Sequence, residues 1–85
     1  MRTQALTAQS RRILDYALSL PYTDIPAPVL NKIGSADGQY IASQTKRFSE
    51  VREEMRRRGG DFILSRDEWK EGQRRTHYRL IPAPL

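Results

Sequence analysis

The fold is decided by the stretch from Phe48 to Leu64, which reads FSEVREEMRRRGGDFIL. Its first half carries apolar residues three and four positions apart, as on one face of a helix: Phe48, Val51 and Met55. Two glycines follow at 59–60, and after them Phe62 and Leu64 alternate with other residues, as on one face of a strand. The change of period predicts a helix from about Ser43 or Thr45 to Arg58, a break, and then a strand.

A second strand is predicted over residues 75–80, which read RTHYRL. Three alternating residues share its inward face: Thr76, Tyr78 and Leu80. The polar segment 67–73, with its one glycine, is expected to be the loop between the strands. The two strands together are predicted to form a two-stranded β-hairpin.

Two helices are predicted upstream of residue 43. The first runs from about Thr7 or Ala8 to about Ser19, with Thr7 as its N-cap. The second is short and spans Pro28 to Ile33, with Gly34 expected in the left-handed conformation directly after it. Ile25 is predicted as a short, buried, extended residue.

These elements predict an α+β fold, in which a three-helix core is followed by a two-stranded β-hairpin. We expect one domain over residues 1–85, with an ordered core of about residues 7–82. The residues predicted to be buried are Ile13, Leu14, Leu18, Ile25, Val29, Leu30, Ile33, Phe48, Val51, Met55, Phe62, Leu64, Tyr78 and Leu80.

Composition narrows the possible functions. The 85 residues include no cysteine, which excludes disulfides, thiolate zinc sites and a cysteine nucleophile. The single histidine cannot build a histidine-rich metal site. A chain of this length has little room to enclose a catalytic pocket, so we expect no enzyme activity, cofactor or metal. No stretch approaches the ~18 apolar residues of a membrane span, and we expect a cytoplasmic protein with no membrane partner.

The net charge of +5 is unevenly distributed. Residues 1–45 carry four basic and three acidic side chains, whereas residues 46–85 carry eleven basic and seven acidic ones. A basic surplus gathered in one half of the chain suggests a polyanionic partner. A requirement for solubility would explain the same charge, and the composition does not distinguish this explanation from a polyanionic partner.

Three segments resemble short winged helix-turn-helix domains of phage and prophage proteins: residues 46–52 (KRFSEVR), 56–62 (RRRGGDF) and 78–80 (YRL). In that family, a third helix ends in an arginine-rich turn and glycine, and leads into a hairpin called the wing. The resemblance extends over roughly residues 10–82. It implies a non-enzymatic protein that binds nucleic acid, above all duplex DNA, and acts as a small regulator of transcription.

By this resemblance, the third helix would enter the major groove and the wing would reach phosphates beside it. The start of that helix supplies the candidates Ser43, Gln44, Lys46, Arg47 and Glu50, and the wing supplies Lys70, Arg74 and Arg75. Gln44 and Arg47 suit base edges, whereas the wing cations suit phosphates. Glu50 would either accept from a cytosine amino group or repel phosphates, and His77 is a weaker candidate.

The alternative is a winged helix that binds protein and inhibits or adapts a host nucleoprotein complex through its third helix and wing. Two aromatic residues that the periodicity does not place in the core favour it as a possible interface, Tyr40 and Trp69. The acidic character of the third helix also favours it. The arginines at 56–58 are ambiguous, since they could complement the helix dipole or pair as Glu53–Arg57 and Glu54–Arg58.

Overall fold

A computed structural model describes residues 6–36, 38 and 44–82 of the chain. These residues form an α+β domain of three helices and a three-stranded antiparallel sheet. In chain order the elements are α1 (Ala8–Leu18), β1 (Ile25–Pro26), α2 (Ala27–Gly34), α3 (Gln44–Arg57), β2 (Asp61–Lys70) and β3 (Gln73–Ile81). The predicted positions of the three helices are confirmed, with boundaries shifted by one or two residues, and the two predicted strands are present but longer than expected.

The sheet has one strand more than the sequence predicts. Its order is β1-β3-β2, because the extended residue Ile25 pairs with Tyr78 and Pro26 pairs with His77. Pro26 has no N–H to continue the ladder, and α2 begins at the next residue. β1 therefore covers two residues of the β3 edge, near the middle of that strand.

The predicted loop over residues 67–73 is wrong. β2 continues to Lys70, and the turn consists of Glu71 and Gly72, with φ of 53° and 75°. Two central residues with positive φ match the right-handed twist of the strands they connect, as type I′ turns do. A bulge between Leu64 and Arg66 shifts the register, so that Trp69 lies opposite Arg74 near the turn.

The core lies where the three helices meet the inner half of the hairpin. Phe48 of α3 contacts Phe62 and Tyr78 edge-on, with ring centroids 5.8 and 4.6 Å apart. Most of the predicted core is confirmed, and the buried hydrophobic residues are Ile13, Leu14, Ala17, Ile25, Ala27, Leu30, Phe48, Val51, Met55, Phe62 and Leu80.

Two residues of the predicted core are exposed, Val29 at 36% and Leu64 at 43%, and three others are only half-buried: Leu18, Ile33 and Tyr78. The buried face of α2 consists of Ala27, Leu30 and Gly34. Val29 lies on a different face of that helix. Leu64 is the last residue before the bulge, where the hairpin leaves the helices.

The helix ends are partly as predicted. Thr7 is the N-cap of α1, and its Oγ1 accepts a hydrogen bond from the Ser10 amide at 3.3 Å. Gly34 is not left-handed. It is the last residue of α2, it is buried, and Ser35 follows as the C-cap with φ −96°. The left-handed glycine after a helix is instead Gly59, with φ 92°, after α3.

Candidate nucleic-acid interface

The start of α3 is joined to α2 through side chains. Asn31 Nδ2 donates a hydrogen bond to Gln44 Oε1, which fixes the first residue of α3 beside the middle of α2. Lys46 lies two residues further along the helix and is exposed. Ser43 and Tyr40, which the sequence also nominated, lie outside the described residues.

Arg47 and Glu50 belong to a polar network between α3 and the N-terminus of α1. Their side chains are 15% and 19% exposed and form an ion pair of 3.0 Å. Arg47 Nη1 donates to Thr7 Oγ1 at 2.6 Å, and Ser10 Oγ donates to Glu50 Oε2 at 2.6 Å. Ser10 is itself fully buried, so the network attaches the first turn of α1 to α3.

This environment acts on the pKa of Glu50 in two directions. Desolvation raises it, while the hydrogen bond from Ser10, the charge of Arg47 and the hydrogen bond from Thr7 lower it. The lowering contributions prevail, and the pKa lies below its ordinary value. Both charges are thus used within the protein, and neither is presented on an open surface.

The arginines at the end of α3 also have intramolecular partners. Arg57 and Arg58 both pair with Glu54, at 2.5 and 2.6 Å, and Arg56 pairs with Asp61 at 3.1 Å. The hydrogen bonds from Arg57 and Arg58 lower the pKa of Glu54. The predicted Glu54–Arg58 pair is confirmed, whereas the predicted Glu53–Arg57 pair is wrong, because Arg57 turns to Glu54.

Cations of the hairpin differ in their pairing. Arg74 Nε and Nη2 donate to the two carboxylate oxygens of Asp67 at 2.8 and 2.7 Å, and these hydrogen bonds lower the pKa of Asp67. Arg66 lies 3.5 Å from Glu68. Lys70 and Arg75 are exposed and form no ion pair with any described residue. Their charges are therefore available to an anion.

These hairpin cations border a cleft of about 510 Å³ between the hairpin and the N-terminal ends of α2 and α3. One wall is apolar and consists of Pro26, Ala27 and Pro28. Asn31 of α2 and Gln44 of α3 also line the cleft. The hairpin contributes the rest of the lining, which consists of Arg66, Glu68, Lys70, Gln73, Arg74, Arg75, Thr76 and His77.

The cleft brings together four of the predicted site residues: Gln44, Lys70, Arg74 and Arg75. Arg47 and Glu50 do not line it. Sequence reasoning missed Asn31 and Arg66, which do. Arg66 was missed because the segment that follows it was predicted as a loop. In the structure β2 continues to Lys70, and the bulge between Leu64 and Arg66 places Arg66 on the same face of the hairpin as Arg75. No sequence signal indicated Asn31, because its role depends on a contact between two helices.

Trp69 is separate from this cleft. It is 73% exposed and lies across the hairpin from Arg74. Leu64 and Trp69 lie on the same face of the hairpin. Leu64 pairs with Tyr78 and Trp69 pairs with Arg74, and these two partners are four residues apart on β3, so they share a face of that strand. Trp69 and Leu64 thus leave two large apolar side chains exposed on one face of the hairpin, outside the lining of the cleft.

Within residues 6–36, 38 and 44–82, no group of three or more histidine or acidic side chains could hold a metal ion. None of the helices described is long and apolar enough to cross a membrane. Comparison of the chain with protein-family models, with curated proteins and with solved structures gives no match.

Proposed function

We propose that the chain is a winged helix-turn-helix domain that binds duplex DNA and serves as a small regulator of the phage type. In this proposal α2 and α3 are the helix-turn-helix and the β2–β3 hairpin is the wing. The observation that carries it is the cleft, where unpaired hairpin cations face the start of α3. A duplex seated there would meet the helix in its major groove and the hairpin at its phosphates.

The charge around the cleft favours a polyanion. Its lining includes four cationic side chains, Arg66, Lys70, Arg74 and Arg75, against the single carboxylate of Glu68. Lys70 and Arg75 can each meet a phosphate without breaking an ion pair formed by the described residues. Phosphate contacts of this kind provide most of the affinity for DNA and position the protein on the duplex.

In this proposal, residues at the start of α3 contact the base edges. Gln44 accepts from Asn31 through Oε1, which leaves its amide nitrogen as a donor toward a base edge. Lys46 is exposed and can donate to guanine or to a phosphate. Arg47 and Glu50 act in this proposal by fixing α1 against α3, and not by touching DNA.

A salt-dependent binding titration with mixed-sequence duplex, single-stranded DNA and RNA tests the proposal. With about 4–6 phosphate contacts, log K for the duplex should fall against log salt with a slope of about −4 to −5. Duplex should bind more tightly than either single strand. A flat salt dependence, or no duplex binding at low salt, would overturn the proposal.

A protein partner is the second candidate, in which the winged helix inhibits or adapts a host nucleoprotein complex. The 73% exposure of Trp69 favours it, because tryptophan is enriched at the centres of protein interfaces. Leu64, 43% exposed, extends the apolar character of the same face. The titration separates the candidates, since a protein-binding wing predicts no steep dependence of duplex affinity on salt.

A further inference from the structure

The side of β3 that carries β1 is open over the first residues of the strand. In the sheet order β1-β3-β2, β1 pairs only with His77 and Tyr78, because α2 begins directly after Pro26. Residues 73–76 pair with β2 on one side and with no described strand on the other. This open edge, residues 73–76 of β3 on the side away from β2, offers backbone N–H and C=O groups to an added strand.

The direction of these backbone groups follows from a hydrogen bond further along β3. Leu80 O accepts from Tyr22 N, which lies just before β1, so Leu80 directs its backbone groups away from β2. Alternate residues of an antiparallel strand direct their backbone groups to the same side. Arg74 and Thr76 therefore direct theirs to the open edge, and both residues line the cleft.

The cleft extends along the open edge. Residues 73–77 all line it, and so do residues 26–28, where β1 ends and α2 begins. A strand added to a sheet lies about 4.8 Å from its neighbour, and four extended residues span about 13 Å. The cleft, with its volume of about 510 Å³, thus lies where a short strand would continue the sheet beyond β1.

The charges beside the open edge indicate an acidic strand. Arg75 pairs with Glu68, and Lys70 lies two residues beyond Glu68, so both cations share one face of the hairpin. Neither cation forms an ion pair with a described residue. A side chain directly opposite Arg75 on an added strand would lie about 5 Å from it, where opposite charges attract and like charges repel. A second copy of β3 would bring arginines together and does not fit.

We infer that the open edge of β3 binds an extended acidic segment of a partner protein as a fourth strand of the sheet. The backbone of that segment pairs with Arg74 and Thr76, and an acidic side chain forms an ion pair with Arg75. The inference goes beyond the proposed function and does not rest on it. Because the segment and a duplex would both use Arg75, binding of one would weaken binding of the other.

The test is a titration of the ¹⁵N-labelled protein with a short synthetic peptide of alternating threonine and glutamate, followed by amide chemical shifts. One control peptide has lysine in place of glutamate. A second keeps the glutamates but has N-methylated backbone amides, which cannot pair with a strand. We expect saturable shifts at residues 73–76 with the acidic peptide, and affinities lower by about tenfold or more for both controls.

Amide hydrogen exchange distinguishes strand addition from attraction between charges. In the free protein, the N–H groups of Arg74 and Thr76 should exchange faster than that of Arg75, which points to β2. At saturation with the acidic peptide, exchange at Arg74 and Thr76 should slow by about tenfold or more. Unchanged exchange at these two residues in the bound protein would overturn the inference.

Thr76→Pro removes an N–H that faces the open edge and should weaken peptide binding by about tenfold or more. Its matched control is Thr76→Val, which keeps the N–H and should bind normally. Arg75→Ala should weaken binding by about fivefold or more, unlike Arg11→Ala, which removes one exposed arginine from α1. Circular dichroism checks that each variant is folded.

Full affinity of the N-methylated or the lysine peptide, no binding of the acidic peptide, or full affinity in Thr76→Pro would each overturn the inference. The N-methylated peptide tests the same backbone pairing on the unmodified protein, should Thr76→Pro fail to fold. Duplex affinity is measured separately on the same samples. Its absence would contradict the proposed function and leave the comparison of the three peptides intact.

Discussion

Arg56, Arg57 and Arg58 at the end of α3 all form ion pairs, whereas Lys70 and Arg75 near the hairpin turn form none within the described residues. The helix places Glu54 three and four residues before two of the arginines, which is the spacing at which side chains meet. In the hairpin, the carboxylates of Asp67 and Glu68 are taken by Arg74 and Arg66. Residues 56–58, the densest run of positive charge in the sequence, are thus less available to an anion than Lys70 and Arg75.

A second contrast separates the two halves of the hairpin at the bulge near residue 65. On the inner side, Phe62 and Leu80 are fully buried and pair across the strands. On the outer side, Trp69 is 73% exposed and the strands are joined by a two-residue turn. Packing stabilises the inner half, whereas the outer half is largely exposed.

The inner half should be the more sensitive to mutation. Phe48→Ala removes a ring that is 3% exposed and contacts Phe62 and Tyr78, and it should lower the free energy of unfolding by about 3–5 kcal/mol. That is close to the whole stability of a domain this small. Urea denaturation followed by circular dichroism measures it. An unchanged midpoint would contradict the position of Phe48 in the core.

Removing the unpaired cations should affect DNA binding more than removing the paired ones. Lys70→Ala with Arg75→Ala should lower the magnitude of the salt slope for duplex binding by about 2, because two phosphate contacts are lost. The matched control is Arg57→Ala with Arg58→Ala, which removes the same charge and should leave the slope unchanged. Equal losses in the two double variants would show that net charge alone determines affinity.

Glu50 should matter to stability at neutral pH and less in acid. Its pKa is lowered in the folded state, so the unfolded chain binds the proton more readily. Its contribution is complete above the ordinary carboxylate range and is lost as pH falls through the folded pKa. Glu50→Gln should therefore cost about 1–2 kcal/mol at pH 7, with a smaller difference at pH 3.

Denaturation of both proteins at the two pH values measures this effect, and a cost that is the same at pH 3 would contradict the ion pair with Arg47. The same variant addresses recognition. If Glu50 acts within the network, its replacement should not change preference among duplex sequences. Weaker binding of one sequence class alone would instead indicate that Glu50 reads cytosine, which is one of the two roles that the sequence left open.

Trp69→Ala should have the smallest effect on the fold. The side chain is largely exposed, so the free energy of unfolding should change by no more than about 0.5 kcal/mol. Thermal unfolding checks it. A larger loss would mean that the outer half of the hairpin is packed more tightly than its exposure indicates.

The sequence predicts those elements whose buried face has a regular period. Phe48, Val51 and Met55, followed by Phe62, placed α3 and the inner part of β2 correctly, because each of these segments buries one side. The outer hairpin, residues 66–75, has no buried face, and its polar residues resemble a loop. Its strand pairing is set by the two-residue turn at 71–72, whose positive φ values the sequence did not signal unambiguously.

The candidate site was predicted only in part, for a related reason. Cationic residue types in the hairpin were identified from charge, and Arg75 and Lys70 do line the cleft. Whether a cation is available depends on tertiary contacts. Arg47 was nominated from its place on the helix, but its partner Thr7 is 40 residues away in the chain.

The most direct test of the central claim is a map of duplex contacts by amide chemical shifts of the ¹⁵N-labelled protein. The availability of the hairpin cations predicts saturable shifts at residues 70–75 and at 44–46, and little change at 56–58. Shifts concentrated at 56–58, with the hairpin unaffected, would contradict it, since the paired arginines would then be the ones that meet the DNA.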